Sequence, residues 1–157
     1  MIRFLILAVF IPASLATTGI TTCSGSGAPA QGADQVTVHG CDAAPCDILL
    51  GEEALMNVIF TAPHDIERFT PHTVAFLGPL PVPYPLPPEV QNYACENLVG
   101  AECPIPAGTV VNYLFRLAVS NNYPVLSNLG IELTLTDQSG QGIICTRIPI
   151  NSVDPTL

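Results

Sequence analysis

The residues of this chain whose types could do chemistry are three histidines and six cysteines. His64 precedes Asp65, the arrangement of a general base with an orienting carboxylate, and His64 with His72 could hold a metal ion. Both histidines fall in "TAPHDIERFTPHT" (61–73), which reads as a turn followed by a strand interrupted by Pro63 and Pro71. Neither they nor His39 stand in a metalloprotease, P-loop or dinucleotide motif. They read as solvated loop histidines. No G-x-S-x-G nucleophile elbow is present. Cys23, Cys41, Cys46, Cys95, Cys103 and Cys145 lack the paired C-x-x-C knuckles of a zinc site. The expectation is a protein that is not an enzyme and uses no metal or cofactor.

The cysteines have a better explanation in the N-terminus. Residues 1–16 carry one early cation, Arg3, then a short apolar run and small residues at Ser14 and Ala16. That is the grammar of a signal peptide cleaved after Ala16. The run is shorter than the ~20 apolar residues of a membrane-spanning helix. An exported chain meets an oxidising compartment, so six cysteines become a disulfide framework, for which sequence alone permits 15 pairings. Cys41 with Cys46 and Cys95 with Cys103 are near neighbours that could each close a small loop, leaving Cys23 and Cys145 to join the ends. Residues 17–157 have the size of one domain, expected outside the cell or in an endosomal or lysosomal lumen.

Charge excludes partners. The chain has no lysine, four arginines and thirteen carboxylates, a formal net charge of −9. Nucleic-acid affinity rests on neutralising phosphates, so no nucleic acid is expected. Attraction to anionic lipid through a polybasic surface is equally disfavoured.

The elements read as strands. "ALMNVIFTA" (54–62) places Met56, Val58 and Phe60 on one parity. "VVNYLFRLAV" (110–119) sets Val111, Tyr113, Phe115, Leu117 and Val119 against more polar neighbours. "LGIELTLTD" (129–137) alternates Leu129, Ile131, Leu133 and Leu135 with Glu132, Thr134 and Thr136. "GIICTRIPI" (142–150) follows a Gly-rich hairpin connection. "QVTVHGC" and "FTPHTVAFLG" are further candidates, and no segment shows a helical period. About seven short strands, each with one apolar face, predict an all-β antiparallel sandwich.

One segment stands apart. "PLPVPYPLPP" (79–88) has proline at nearly every second position, so it can be neither helix nor mid-sheet strand. Extended, it would turn Leu80, Val82, Tyr84 and Leu86 one way and block one side of the strand to pairing. It reads as a stiff apolar strap.

A leading cysteine, "CDAAPCDILLGE", "MNVIFTA", "PVPYPLP", "CENLVGAECPI", "YLFRLAVSNNYP", "IELTLTD" and "ICTRIPI" stand in the order and spacing of one family. From Cys23 to Ile150 the chain resembles the MD-2-related lipid-recognition (ML) domain family, most closely its Niemann-Pick type C2 branch. The resemblance implies an immunoglobulin-like β-sandwich whose two sheets splay around an apolar lipid cavity. It implies the pairings Cys23–Cys145, Cys41–Cys46 and Cys95–Cys103. It places Tyr84, Val119, Tyr123 and Pro124 at the cavity mouth, and Val58, Phe60, Tyr113, Phe115, Leu133 and Leu135 among the inward-facing residues that meet ligand. Met56 and Leu117 are expected in ordinary core packing.

Two departures from the family are visible. There is no tryptophan, and Leu133 and Thr146 occupy positions where sterol-carrying relatives place large aromatics. There is also no N-x-[ST] sequon, which favours secretion over a glycan-directed route to lysosomes. The function implied is a secreted, monomeric carrier of a sterol or similar apolar lipid, exchanging it with a membrane or membrane protein. Two other classes remain: a recognition module for microbial or fatty-acid-like lipids in immunity or chemical signalling, and a structural secreted protein with a merely packed core.

Overall fold

The computed structural model describes residues 15–24, 29 and 31–157, so all but the last two residues of the expected signal segment lie outside the described residues. The described strands are β1 (Thr21–Thr22), β2 (Gln35–Val38), β3 (Cys46–Leu49), β4 (Glu53–Thr61), β5 (Phe69–Leu77), β6 (Leu80–Pro83), β7 (Val110–Ala118), β8 (Leu126–Asp137) and β9 (Gly142–Val153). A short helix α1 (Pro88–Asn92) and a 3-10 turn (Ala94–Asn97) lie between β6 and β7.

The strands form two facing sheets. One runs β1-β9-β8-β5-β6, with β3 also pairing β9, and the other runs β2-β4-β7. Alternation along β7 and β8 works as expected: Val111, Tyr113, Phe115 and Leu117 of β7 and Ile131, Leu133 and Leu135 of β8 are buried. Residues of opposite parity face solvent, so each strand contributes one apolar side to a shared core. The result is the expected immunoglobulin-like sandwich.

Three differences from the sequence expectation have simple causes. β1 and β3 are too short to show alternation, and β3 runs parallel to β9, with Cys46 opposite Ile150 and Leu49 opposite Val153. The helix α1 spans only five residues, too few for a period, although Pro88 at its start and Glu89 in its first turn are helix-opening signals. The strap is graded rather than uniform: Leu80 is 59% exposed and Val82 43%, whereas Leu86 is buried.

That strap begins as β6, at the sheet edge, paired only with β5. Pro81 and Pro83 oppose Phe76 and Val74, while Leu80 and Val82 oppose Leu77 and Ala75. Proline cannot donate, so Leu80 and Val82 make the ladder bonds and the proline nitrogens face outward. The free edge therefore carries no N–H at positions 81 and 83.

All six cysteines are bonded, as Cys23–Cys145, Cys41–Cys46 and Cys95–Cys103, with Cα separations of 5.4, 5.6 and 5.8 Å. These are the pairings the family resemblance implies. Cys23 fastens the β1 segment to β9, and its amide also donates to the Cys145 carbonyl at 3.2 Å.

Candidate functional site

The two halves of the sandwich are filled differently. Toward the end where β5 starts and β8 finishes, aromatic rings interlock. Phe60 meets Phe69 edge-on at 6.2 Å, Phe69 meets Tyr113 at 5.1 Å, and Tyr113 meets Phe115 at 6.1 Å. Edge-on packing suits the positive rim and negative face of the rings. Burial pushes the Tyr113 phenol well above its usual pKa, so it stays neutral inside this cluster. That half is solid.

Toward the other end the facing residues become aliphatic or small: Ala75 on β5, Leu117 on β7, Leu129 and Ile131 on β8, and Ile150 on β9. They leave an apolar cavity of about 250 Å³ between the sheets, bordered by Val82, Pro83 and Tyr84 of the strap and by Val119, Tyr123 and Pro124. No charged side chain lines it. Three other recesses among the described residues, of about 170 to 240 Å³, are lined by threonines, by His39 with carboxylates, or by Arg147. Character, not size, singles out the apolar one.

Two tyrosines shape the mouth. The Tyr84 hydroxyl donates to the Ala118 carbonyl at 2.6 Å, and Thr73 Oγ1 donates to the Tyr84 carbonyl at 2.6 Å. Tyr84 therefore ties the β5–β6 side of one sheet to β7 of the other. Its ring lies 5.7 Å from that of Tyr123, tilted by 49°. Burial, with Tyr123 adding to it, raises the Tyr84 phenol to about 12, so it remains a donor throughout the physiological range. Ser152 Oγ pins the loop that carries Tyr123: it donates to the Pro124 carbonyl at 2.8 Å and accepts from the Leu126 amide at 2.9 Å.

A cation lies behind one wall. Arg147 stacks on Phe76, 4.4 Å from the ring centroid, and its Nη1 reaches Glu132 Oε1 at 3.1 Å. Gly130 permits this, because a Cβ there would sit 3.0 Å from Arg147 Nε. The guanidinium thus lies across β8 and is already paired with a carboxylate.

Of the residues expected at the site, Tyr84, Val119, Tyr123 and Pro124 come together at the mouth. Val58, Phe60, Tyr113, Phe115, Leu133 and Leu135 face inward but are fully buried and do not line the cavity. Parity reports the direction of a side chain and is silent on how far apart the sheets stand. Leu117, expected as core packing, does line the cavity, as do Phe76, Leu126 and Ser152. Only the position of Leu117, two residues before Val119 on the same face, could have signalled it.

The histidines carry structural bonds. His64 pairs with Asp137, not Asp65, whose Oδ1 accepts from the Ala107 amide at 2.8 Å. His72 bonds Thr136 and His39 bonds Asn57.

Two mainly antiparallel sheets that close at one end and part around an apolar cavity at the other define a β-sandwich binding protein. Residues 17–152 match the ML domain family, and the chain belongs to it. It is 31% identical over 116 residues to NPC intracellular cholesterol transporter 2 of Bos taurus and 30% identical to that of Mus musculus, covering 74% of each chain. A Niemann-Pick type C2 protein from the Japanese carpenter ant shares the fold, with a TM-score of 0.67 at 21% identity over 83% of this chain and 98% of that one.

Proposed function

We propose that this protein is a carrier that takes one sterol, or an apolar lipid of similar shape, into the cavity between its sheets and passes it to an acceptor. The observation that carries this is the cavity itself: apolar, uncharged and open at one end. Such a site gains affinity by removing apolar surface from water. Relatives 30–31% identical are named cholesterol transporters. Ligand pockets commonly span about 300–1,000 Å³, and the cavity of about 250 Å³ lies just below that range.

The role is binding rather than catalysis. Every thiol is in a disulfide, and the His64–Asp137 pair belongs to loop architecture. Removal of a signal segment after Ala16 would leave Thr17 as the first residue. Thr17 is already held, its amide donating to Val36 and its hydroxyl to the Cys41 carbonyl at 2.7 Å. Protein sequencing of the exported form should begin at Thr17. The acceptor is a membrane or a membrane protein met transiently by the monomer.

Organic extraction of the native exported protein, followed by mass spectrometry, tests the carrier role. One sterol or comparable lipid per protein is expected. Protein that carries nothing, and takes up no sterol after delipidation, would sink it.

A further inference from the structure

We propose that Tyr84 and Tyr123 form an oxidative coupling site, where a peroxidase with hydrogen peroxide joins the two rings as dityrosine and staples the cavity mouth. Their ring centroids lie 5.7 Å apart at an interplanar angle of 49°, the one tyrosine–tyrosine ring pair among the described residues. Each ring is held from its own side of the mouth. Tyr84 donates its hydroxyl proton to the Ala118 carbonyl and accepts at its own carbonyl from Thr73 Oγ1, both at 2.6 Å. The loop bearing Tyr123 is pinned by Ser152 through Pro124 and Leu126. Reactants held side by side combine far faster than partners that must first diffuse together. Tyr123 is 44% exposed, so an oxidant reaches it from solvent.

The composition leaves an oxidant few other outlets. Thiols and thioethers are the usual sinks. Here every cysteine is in a disulfide, Met56 is wholly buried, and the chain has no tryptophan. Of the four tyrosines, Tyr113 is enclosed among phenylalanine rings, and Tyr93 is 54% exposed but has no second tyrosine ring beside it. In the coupling, each phenol gives up one electron and one proton. The two phenoxyl radicals then join through carbons ortho to their oxygens. The hydrogens on those carbons pass to the oxygens and restore both phenols. One hydrogen peroxide takes up the two electrons and two protons and leaves as two waters. The new bond ties the strap after β6 to the loop between β7 and β8. Its effect on exchange rests on the carrier function above: it shuts the entrance, keeping a loaded lipid in and a free one out.

The test treats the whole exported protein, at high dilution, with a peroxidase and hydrogen peroxide. Dityrosine fluorescence is expected in the monomer band of a denaturing gel. Peptide mapping after reduction should find the Tyr84 and Tyr123 peptides joined, with the loss of two hydrogens. Tyr84→Phe and Tyr123→Phe should each abolish the signal, and Tyr93→Phe should keep it. Coupling confined to dimers, or coupling in the monomer that survives Tyr123→Phe, would overturn the proposal. The wild-type map decides even where a variant does not fold. Protein loaded with a radiolabelled sterol and then cross-linked should retain it against an excess of phosphatidylcholine vesicles, to which untreated protein releases it. Equal release from the two would overturn the closure. Untreated protein that takes up no sterol would instead overturn the carrier function, while the peptide map still decides the coupling.

Discussion

His64 and Asp137, 73 residues apart in the chain, meet through Nε2 and Oδ2 at 2.7 Å, at the end of the sandwich away from the cavity. Asp137 also accepts from the Ser139 hydroxyl at 2.7 Å, the Ser139 amide at 2.8 Å and the Gln141 amide at 2.9 Å. One buried carboxylate thus shapes the β8–β9 hairpin and fastens the loop before β5 to it. Burial works to raise its pKa, but the bonds from Ser139, Gln141 and His64 outweigh burial and lower it to about 2.

Acid stability follows from that depression. The folded chain holds Asp137 ionised to lower pH than the unfolded chain does, so the contribution is complete above about pH 4. It is lost as pH falls toward about 2, where the folded carboxyl takes up its proton. Urea denaturation between pH 7 and pH 2 should show this loss. Asp137→Asn should lower stability at pH 7 by about 1–3 kcal/mol and flatten the acid slope. An unchanged slope would contradict the assignment.

The alkaline side has the opposite origin. Tyr84 is kept neutral to about 12 in the fold, against 10.0 for the free phenol. An unfolded chain releases that proton first, so the contribution is complete below about pH 10 and declines as pH rises toward 12. Tyr84→Phe should remove this part of the decline in denaturation curves. Absorbance titration of the tyrosines should show one fewer late-ionising phenol.

Mouth and core should separate in mutagenesis. Val119→Asp places an unpaired carboxylate against an apolar ligand and should abolish sterol binding with little change in melting temperature. Leu133→Ala opens a hole in the filled half and should cost about 2–5 kcal/mol of stability. Melting and binding measured on the same preparations check both. A strongly destabilised Val119→Asp would make that residue part of the core.

Affinity should be modest and insensitive to salt. A drug-sized ligand gains about 0.3 kcal/mol per heavy atom, so a sterol of about 28 such atoms gains about 8 kcal/mol. That corresponds to a Kd on the order of micromolar. No charge lines the cavity, so titrations with a fluorescent sterol at low and high ionic strength should coincide within a factor of about two. A steep salt dependence would point to a charged headgroup instead.

The long bridge should be the costliest to lose. Cys23 and Cys145 are separated by 122 residues, against 5 and 8 for the other two pairs. Under loop-closure entropy its removal by paired alanine substitution should cost about 2–5 kcal/mol, more than removal of either short loop. Chemical denaturation of the three double variants gives the order.

Much of this was legible in the chain. Alternation on β7 and β8 identified the inward faces because a two-residue period survives in nine- and twelve-residue strands. Tyr84, Val119 and Tyr123, expected at the site through the motifs that carry them, line the cavity. The cavity walls were not, since they depend on sheet separation. Phe115 and Leu117 share one face of one strand, yet one meets the aromatic cluster and the other lines open space. The partner of His64 was equally hidden, because the nearest carboxylate in sequence, Asp65, points to another amide.

The outward-facing prolines of β6 matter beyond the geometry of the strap. A protein that must leave Leu80 and Val82 wet combines two hazards, greasy side chains and an open strand edge, on one segment. Together these are a template for cross-chain strand addition and fibril growth. Without N–H groups at 81 and 83, an incoming strand finds carbonyls but too few donors to zip against. The side chains of Leu80 and Val82 stay exposed while the backbone beneath them refuses recruitment. Replacing Pro81, which does not line the cavity, with a residue that carries an amide should make the protein polymerise on concentration.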